Sequence, residues 1–375
     1  MANVLSIVTY KIFPAKLGGQ KAIALFNEYF SKHETLFCFT IKDNDPSLAS
    51  YKVFNLLSNH RLRYVNIFYF GTIKKIIKEN KITHVIIAHP YYGWMALLLK
   101  YFCKIKLIVH SYNIEAERFR SVGKWWWKIL WHYEKFIHRN ADFTFCITAD
   151  DRDYFLKNYK IPVEKLAVIT YGISWTSIPE KIVRSEAKTF LLKKYSLAPG
   201  TSLFLFNGTL NYGPNLDAIK MIVEKINPLF ITKNIPYRII VCGKGLPKDM
   251  NELKSYSNQN IIYAGFVDDI SLYFKGVDVF LNPVIDGGGI KTKLVESLGY
   301  NLNVVSTFNG AIGVDEKICS GKLLLTENSD WEDFADKMEA ALGINQDISP
   351  EFFEQFYWEN IAKKAARIID RDNPN

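Results

Sequence analysis

Short runs dominated by valine, isoleucine, leucine and phenylalanine recur along the chain, each followed by a longer stretch with helical periodicity. A strand that is apolar on both faces must be covered on both faces, so these runs require parallel sheets packed between helices. In the first half the runs are NVLSIVTY, ETLFCFTI, THVIIAHP, KLIVHSY, DFTFCIT and LAVITYG. In the second half they are SLFLFNG, YRIIVCG, NIIYAGF, VDVFLNP and LNVVST, with a shorter KLLLTE. The series stops between Ile173 and Thr201, where a linker and one helix intervene. The pattern therefore predicts an α/β chain of two doubly wound domains with a hinge near Tyr171–Pro179. The domains would span 1–178 and 179–350. Residues 351–375 would form a final helix, with Phe353, Phe356, Tyr357 and Ile361 available to pack back toward the N-terminal domain.

A length of 375 residues suits two cores better than one, and 49% hydrophobic content excludes a disordered chain. The greasiest stretch, WMALLLKYFCKIKLIV, is interrupted by Lys100, Lys104 and Lys106, so no membrane-spanning helix is predicted. The N-terminus, MANVLSIVTYKIF, lacks a basic leader and reads as a first strand instead of an export signal. Five widely spaced cysteines without a C-x-x-C pair fit a reducing compartment, hence a cytoplasmic location, and exclude a disulfide frame or a cysteine zinc site. The net charge of +9 is uneven: residues 1–180 carry 25 basic and 14 acidic side chains, whereas residues 181–375 carry 22 and 24. The first half thus suits an anionic ligand or surface, unless the charge serves solubility alone.

Ligands of open α/β sheets bind beyond the carboxyl ends of the strands, so the residues after each strand carry the functional information. Gly208 ends SLFLFNG, and Asn215–Leu216–Asp217 opens a helix soon after; Gly243, Lys244 and Gly245 follow YRIIVCG; and FVDDI follows NIIYAG. After VDVFLNP comes DGGGIKTKLVESLG, from Asp286 to Gly299. Gly287, Gly288, Gly289 and Ile290 here lead into a helix whose start carries Lys291 and Lys293. A helix N-terminus is already electropositive, so cations there want an anionic partner, and a diphosphate fits. Glu296, one turn beyond Lys293, is placed to accept hydrogen bonds from ribose hydroxyls. An isolated triple glycine would be no more than a flexible turn; repetition at four strand ends favours the ligand. No G-x-G-x-x-G or P-loop pattern occurs, because Gly243-Lys244-Gly245-Leu246-Pro247-Lys248 lacks the third glycine. Hydride and ATP chemistry are therefore disfavoured.

These motifs resemble family 4 (group 1) of the retaining glycosyltransferases. DGGGIKTKLVESLGYNLNVVST is similar to that family's signature helix and following strand. FPAKLGGQ, LIVHSYNIEAERF, VITYGI, NGTLNYGPNLDAI, CGKGLP, GFVDDISLYF and DVFLNPVIDGGGIK follow the family order. The resemblance implies the GT-B fold, two Rossmann-like doubly wound domains facing a central cleft, with the donor on the C-terminal domain and the acceptor on the N-terminal one. It implies transfer of a sugar from a nucleotide-sugar donor, expected to be UDP- or GDP-linked in this chain, with no metal and no cofactor. By motif position it assigns Glu296 to the donor ribose, Gly18 and Gly19 to the donor phosphates and acceptor, and Phe266 and Val267 to the base. His110 falls at the histidine near the transferred sugar, although a histidine satisfied inside the core has equal weight on sequence alone. Two departures stand out. The first of the family's paired glutamates would fall on Gly288, with Asp286 two residues earlier, and no cation follows the first strand of the second domain. Lys291, Lys293 and Lys244 are the candidates to supply the missing charge. In a retaining transfer the donor phosphate can itself deprotonate the incoming hydroxyl, leaving lysines and glycine amides to stabilise the departing diphosphate.

On the acceptor side, His89 in AHPYYGW, Asn113 and Glu115 are candidates. Trp125, Trp126, Trp127 and Trp131 alternate with Arg118, Arg120, Lys124, Lys128 and Lys135, a composition that suits a membrane interface or, equally, a helix packed on its sheet. The resulting expectation is a cytoplasmic, metal-independent hexosyltransferase, with peripheral contact at the inner membrane face, that extends a surface-polysaccharide or lipid-linked glycan. No nucleic-acid partner is expected. A nucleotide-sugar epimerase on the same scaffold, with Asp286 and Glu115 as its acid–base pair, and a non-catalytic nucleotide-sugar binder are the alternatives.

Overall fold

A computed structural model describes residues 1–15 and 18–371; Lys16 and Leu17 of the FPAKLGGQ motif, and the last four residues, lie outside the described set. The chain divides into two compact units. One comprises Met1–Ser174 with Gly288–Ile290 and the segment beginning at Gln355; the other comprises Trp175–Gly287 and Lys291–Glu354.

Among the described residues of the first unit, seven strands form one parallel sheet. They are β1 (Asn3–Val8), β2 (Thr35–Ile41), β3 (Lys52–Leu57), β4 (His84–Ala88), β5 (Lys106–Ser111), β6 (Phe143–Cys146) and β7 (Leu166–Val168), in the order β3-β2-β1-β4-β5-β6-β7. The second unit holds β8 (Ser202–Thr209), β9 (Tyr237–Lys244), β10 (Ile261–Gly265), β11 (Val279–Asn282), β12 (Asn303–Thr307) and β13 (Leu323–Thr326), in the order β10-β9-β8-β11-β12-β13. Every pairing in both sheets is parallel. The two-faced apolar runs explain this: β4, β11 and β12 are buried at every position, so helices must cover both sides. In each sheet the chain starts in the middle, winds one way and then reverses, placing a topological switch point between β1 and β4 and another between β8 and β11.

β3 was not predicted, because KVFNLL is an edge strand with only Leu57 buried and shows no continuous apolar run. The helix after β8 begins at Gly213 with Pro214 in its first turn, two residues before the predicted Asn215, because proline's fixed φ suits a first helical turn. The final segment is two helices, Pro350–Phe356 and Trp358–Arg371, and not one. Tyr357 interrupts them to bridge Ile173, whose amide donates to the Phe356 carbonyl at 2.7 Å while the Trp358 amide donates to the Ile173 carbonyl at 3.1 Å. The second helix buries Trp358, Ile361, Ala362, Ala365, Ala366 and Ile369, one stripe at helical spacing, and packs on helix Gly18–Phe30 of the same unit.

Candidate active site

In the second unit the strand-end residues converge at the switch point. β8 and β9 stay paired to their last residues, Gly208 beside Gly243 and Thr209 beside Lys244. A side chain at Gly243 would collide with the Gly208 carbonyl oxygen, so the two strand ends approach as closely as bare backbone allows. Gly208 is bare for a second reason: a Cβ there would stand 2.9 Å from Lys293 Nζ and 2.7 Å from Asn215 Nδ2. The space goes to a lysine. Lys293 Nζ donates to the Asn207 carbonyl at 2.7 Å, and Asn215 Nδ2 donates to the Thr209 carbonyl at 3.0 Å.

Asp286 and Gly287 of the DGGG loop belong to this unit. Gly287 sits at φ 90°, where an added Cβ would reach van der Waals distance of Pro214 and the Tyr212 hydroxyl, and its carbonyl accepts from Lys291 Nζ at 2.7 Å. Lys291 is the cap residue of helix Thr292–Gly299, with no side-chain cap bond, and Lys293 is the second residue of that helix. Two ammonium groups therefore stand at the start of an eight-residue helix, where the backbone dipole already contributes positive charge. Asn207 presents a buried side-chain oxygen without a hydrogen-bond partner at the same strand end. Sequence reasoning did not single out Asn207; it reads as one more residue of a buried strand.

The remaining candidates of this unit sit at neighbouring strand ends. Lys244 and Asp286 are exposed, Glu296 is half-buried in the signature helix, and a Cβ on Gly245 would stand 2.9 Å from Asn211 Cγ. Phe266 is 66% exposed directly after β10. Val267 beside it is half-buried, and Asp269 caps the following helix Ile270–Gly276 by accepting from the Ser271 amide at 2.9 Å. Gly288, Gly289 and Ile290 belong to the first unit; Gly288 is exposed, Gly289 buried and Ile290 half-buried.

In the first unit, Gly18 and Gly19 open helix Gly18–Phe30, and a Cβ on Gly19 would meet nothing. His110 ends β5 almost wholly buried. Its Nδ1 faces the Tyr112 hydroxyl at 3.0 Å and its Nε2 faces the Ile169 carbonyl at 3.4 Å, while Phe26, Phe145 and Tyr112 enclose the ring. Burial pushes its pKa down to about 3, so the imidazole is neutral. Both ring nitrogens are engaged inside the unit.

His89, Glu115 and their neighbours form a denser cluster. Glu115 is 1% exposed, and its Oε1 lies 2.7 Å from His89 Nδ1. Its Oε2 accepts from Arg118 Nε at 2.7 Å and from the Tyr91 hydroxyl. Burial opposes the charge on Glu115, yet His89, Arg118 and Tyr91 hold its pKa at about 2. Beneath this cluster, Glu134 accepts from the Glu115 amide at 3.0 Å, the Ala116 amide at 2.9 Å and the Tyr159 hydroxyl at 2.9 Å. It thereby satisfies the first amides of helix Glu115–Ser121. Burial raises the Glu134 pKa to about 7 against the pull of those amides. Asn113 is half-buried two residues upstream and accepts from Ser111 Oγ at 2.7 Å through its carbonyl.

The structure thus brings Gly208, Gly243, Gly287, Lys291 and Lys293 together in one unit, and His89 with Glu115 in the other. Tyr91, Tyr112, Arg118 and Glu134 were not among the sequence-predicted site residues. Arg118 was legible only as part of a basic stretch, and nothing in the sequence distinguishes the buried Glu134 from a surface glutamate.

A family model for group 1 glycosyl transferases matches residues 201–343, and one for glycosyltransferase family 4 matches residues 33–174. In sequence, a Klebsiella pneumoniae protein described as an uncharacterized 44.6 kDa protein in the cps region is 27% identical over 115 residues. That match spans 29% of this chain and 30% of the relative. In structure, a glycosyltransferase from Rickettsia africae superposes with a TM-score of 0.74 at 15% identity, covering 100% of this chain and 99% of its own. Anabaena HepE in complex with UDP gives 0.73 at 12% identity over 99% and 100% of the two chains. The lipopolysaccharide outer core galactosyltransferase WaaB gives 0.69 at 15% identity over 100% of both. At these identities the superpositions establish the fold, two doubly wound units of the GT-B type.

Proposed function

Because the chain belongs to the GT-B glycosyltransferases of group 1 and family 4, we propose that it moves a hexosyl group from a uridine or guanosine diphosphate donor to a glycan or lipid-linked acceptor, with retention and without a metal, in surface-polysaccharide assembly. The observation that carries this reading is the approach of Lys293 to the β8 carboxyl end over bare Gly208, in the same unit as Gly287 and Lys291. A diphosphate there gains two ammonium groups, a helix N-terminus and glycine amides. As the anomeric C–O bond breaks, the electron pair leaves with the nucleoside diphosphate, and the same groups stabilise the charge that develops. Loss of one such donor typically costs about 3 kcal/mol of barrier. Glu296 holds the ribose and exposed Phe266 offers a face to the base.

Further support comes from the similar proteins: HepE is described with UDP and with UDP-glucose, WaaB as a lipopolysaccharide galactosyltransferase, and the Klebsiella relative lies in a cps region. The first unit also exposes Trp125 at 83%, Ile129 at 66% and Phe136 at 57%. Lys124, Lys128 and Arg139 stand exposed among them, a surface that fits peripheral contact with an anionic membrane at the cytoplasmic face. No helix among the described residues is long and apolar enough to cross a membrane.

The test incubates the protein with labelled UDP-glucose, UDP-galactose and GDP-mannose and with extracted membranes. Label passing to an acceptor is the expected result. Label returning as an isomeric donor would identify an epimerase, and binding without turnover would identify a carrier; either overturns the assignment. Magnetic resonance of the product's anomeric proton then reads retention or inversion.

A further inference from the structure

Helix Glu115–Ser121 carries two acid–arginine pairs at i,i+3 spacing, and they serve different places. Glu115 with Arg118 is the buried pair beside His89 and Tyr91. Glu117 with Arg120 lines a separate cleft within the first unit, of about 370 Å³, a volume in the range of small-molecule sites. Its other walls are the start of helix Trp127–Asn140 and the end of helix Ala149–Tyr154, which runs on into a π turn, Phe155–Tyr159.

The one carboxylate of the lining is engaged. Glu117 Oε1 accepts from the Tyr154 hydroxyl at 2.8 Å and its Oε2 from Arg120 Nη1 at 2.9 Å, while the Tyr154 oxygen accepts from Trp131 Nε1 at 3.0 Å. This chain of bonds orients Arg120 through a single nitrogen and leaves its side chain 58% exposed. The guanidinium lies 5.4 Å from the centre of the Trp127 ring, and the Lys128 ammonium 5.7 Å from the same ring. Lys135 stands 4.6 Å over Trp131. Both indoles therefore present cations instead of bare faces, which disfavours a stacked sugar ring. Arg120, Lys128 and the His132 imidazole, set against one neutralised carboxylate, suit an anion with several oxygens.

The surroundings say which kind of anion. Trp125, Ile129 and Phe136 are 83%, 66% and 57% exposed, and Lys128 and His132 of the cleft lie three or four residues from them along the same turns. An anion held here has exposed apolar side chains next to it, which is the setting of a headgroup at a bilayer surface. We propose that the cleft binds the phosphate ester of a lipid headgroup, with Arg120 as its fork. This rests on the membrane contact proposed above and turns a general attraction to negative charge into a site that reads phosphate.

The test uses vesicles of digalactosyl diacylglycerol, which carries no phosphate, doped with phosphatidic acid or, at matched surface charge, with oleate. Co-sedimentation is expected to show binding about tenfold tighter to the phosphatidic acid vesicles, the size of one charge-assisted fork. Arg120→Lys keeps the charge and loses the fork, so it should erase the preference while binding oleate vesicles as the wild type does. An unchanged melting temperature certifies that this exposed substitution leaves the fold intact. Polyprenyl phosphate at the same doping separates an acceptor carrier from a bulk phospholipid by which binds tighter, and either result keeps the cleft as a phosphate site. Equal binding to the two anionic vesicles, wild-type preference in Arg120→Lys, binding to the undoped galactolipid, or equally tight binding of inorganic phosphate in solution overturns the cleft alone. A protein that binds neither doped vesicle has lost the membrane contact itself, and the cleft falls with it.

Discussion

Lys293 Nζ donates a 2.7 Å hydrogen bond to the carbonyl oxygen of Asn207, joining the second residue of the signature helix to the carboxyl end of β8 across 86 positions of sequence. Only bare Gly208 permits the approach. The contact brings a cation to a strand end beside a helix N-terminus, where the backbone already carries positive partial charge, and an anion bound there would be favoured by both.

Lys293→Ala is accordingly expected to abolish the rise in melting temperature caused by uridine or guanosine diphosphate, because a ligand stabilises a fold only by binding it. Differential scanning fluorimetry checks this. A shift equal to that of the wild type would remove Lys293 from the phosphate site.

Gly243 sits at φ 148°, and an added Cβ would run into the Gly208 carbonyl. Gly243→Ala must therefore separate β8 from β9 at their ends. The expected loss is about 2 kcal/mol in urea unfolding, the range of an imposed backbone strain, together with the nucleotide response. Gly19→Ala, where a Cβ meets nothing, is the matched control and should change stability little.

Glu134 titrates in the opposite sense to most carboxyls. Its folded pKa, raised to about 7 by burial, lies above the ordinary 4.5, so the folded state holds a proton that the unfolded chain has released. The stability this contributes is full below pH 4.5 and is lost as pH rises toward 7, at most about 3 kcal/mol. Glu134→Gln should flatten the difference in melting temperature between pH 5 and pH 7.5 (about two units of the window) relative to wild type. Parallel curves for the two proteins would contradict it.

His110→Ala removes a buried ring packed among Phe26, Phe145 and Tyr112, and is expected to cost about 2–4 kcal/mol as a cavity. Because both nitrogens are used inside the first unit, the nucleotide-induced shift should survive in the folded fraction.

Trp125→Ser with Phe136→Ser leaves the core intact, since both side chains are exposed, and should weaken sedimentation with vesicles of phosphatidylglycerol and phosphatidylcholine. Binding that is unchanged by the pair would place any membrane contact elsewhere.

The periodicity of the chain by itself determined two helix-covered parallel sheets, because a run such as HVIIA or VFLN, apolar on both faces, has no stable home except between two layers. It also marked the glycine- and lysine-rich strand ends, since unusual residues at a strand's carboxyl end stand out against a regular pattern. Edge strand β3 escaped because an edge is half exposed and needs no apolar run. The strand order, and hence the two switch points, could only come from the folded chain: hydrogen bonding between parallel strands is indifferent to side-chain identity, so the sequence carries little record of which neighbours pair. The same limit hid the environment of His89 and Glu115. Proton positions and the charge of a buried carboxylate depend on which groups lie within a few ångströms, and those groups come from β4, from the helix after β5 and from Glu134, which meet only when the sheet is assembled.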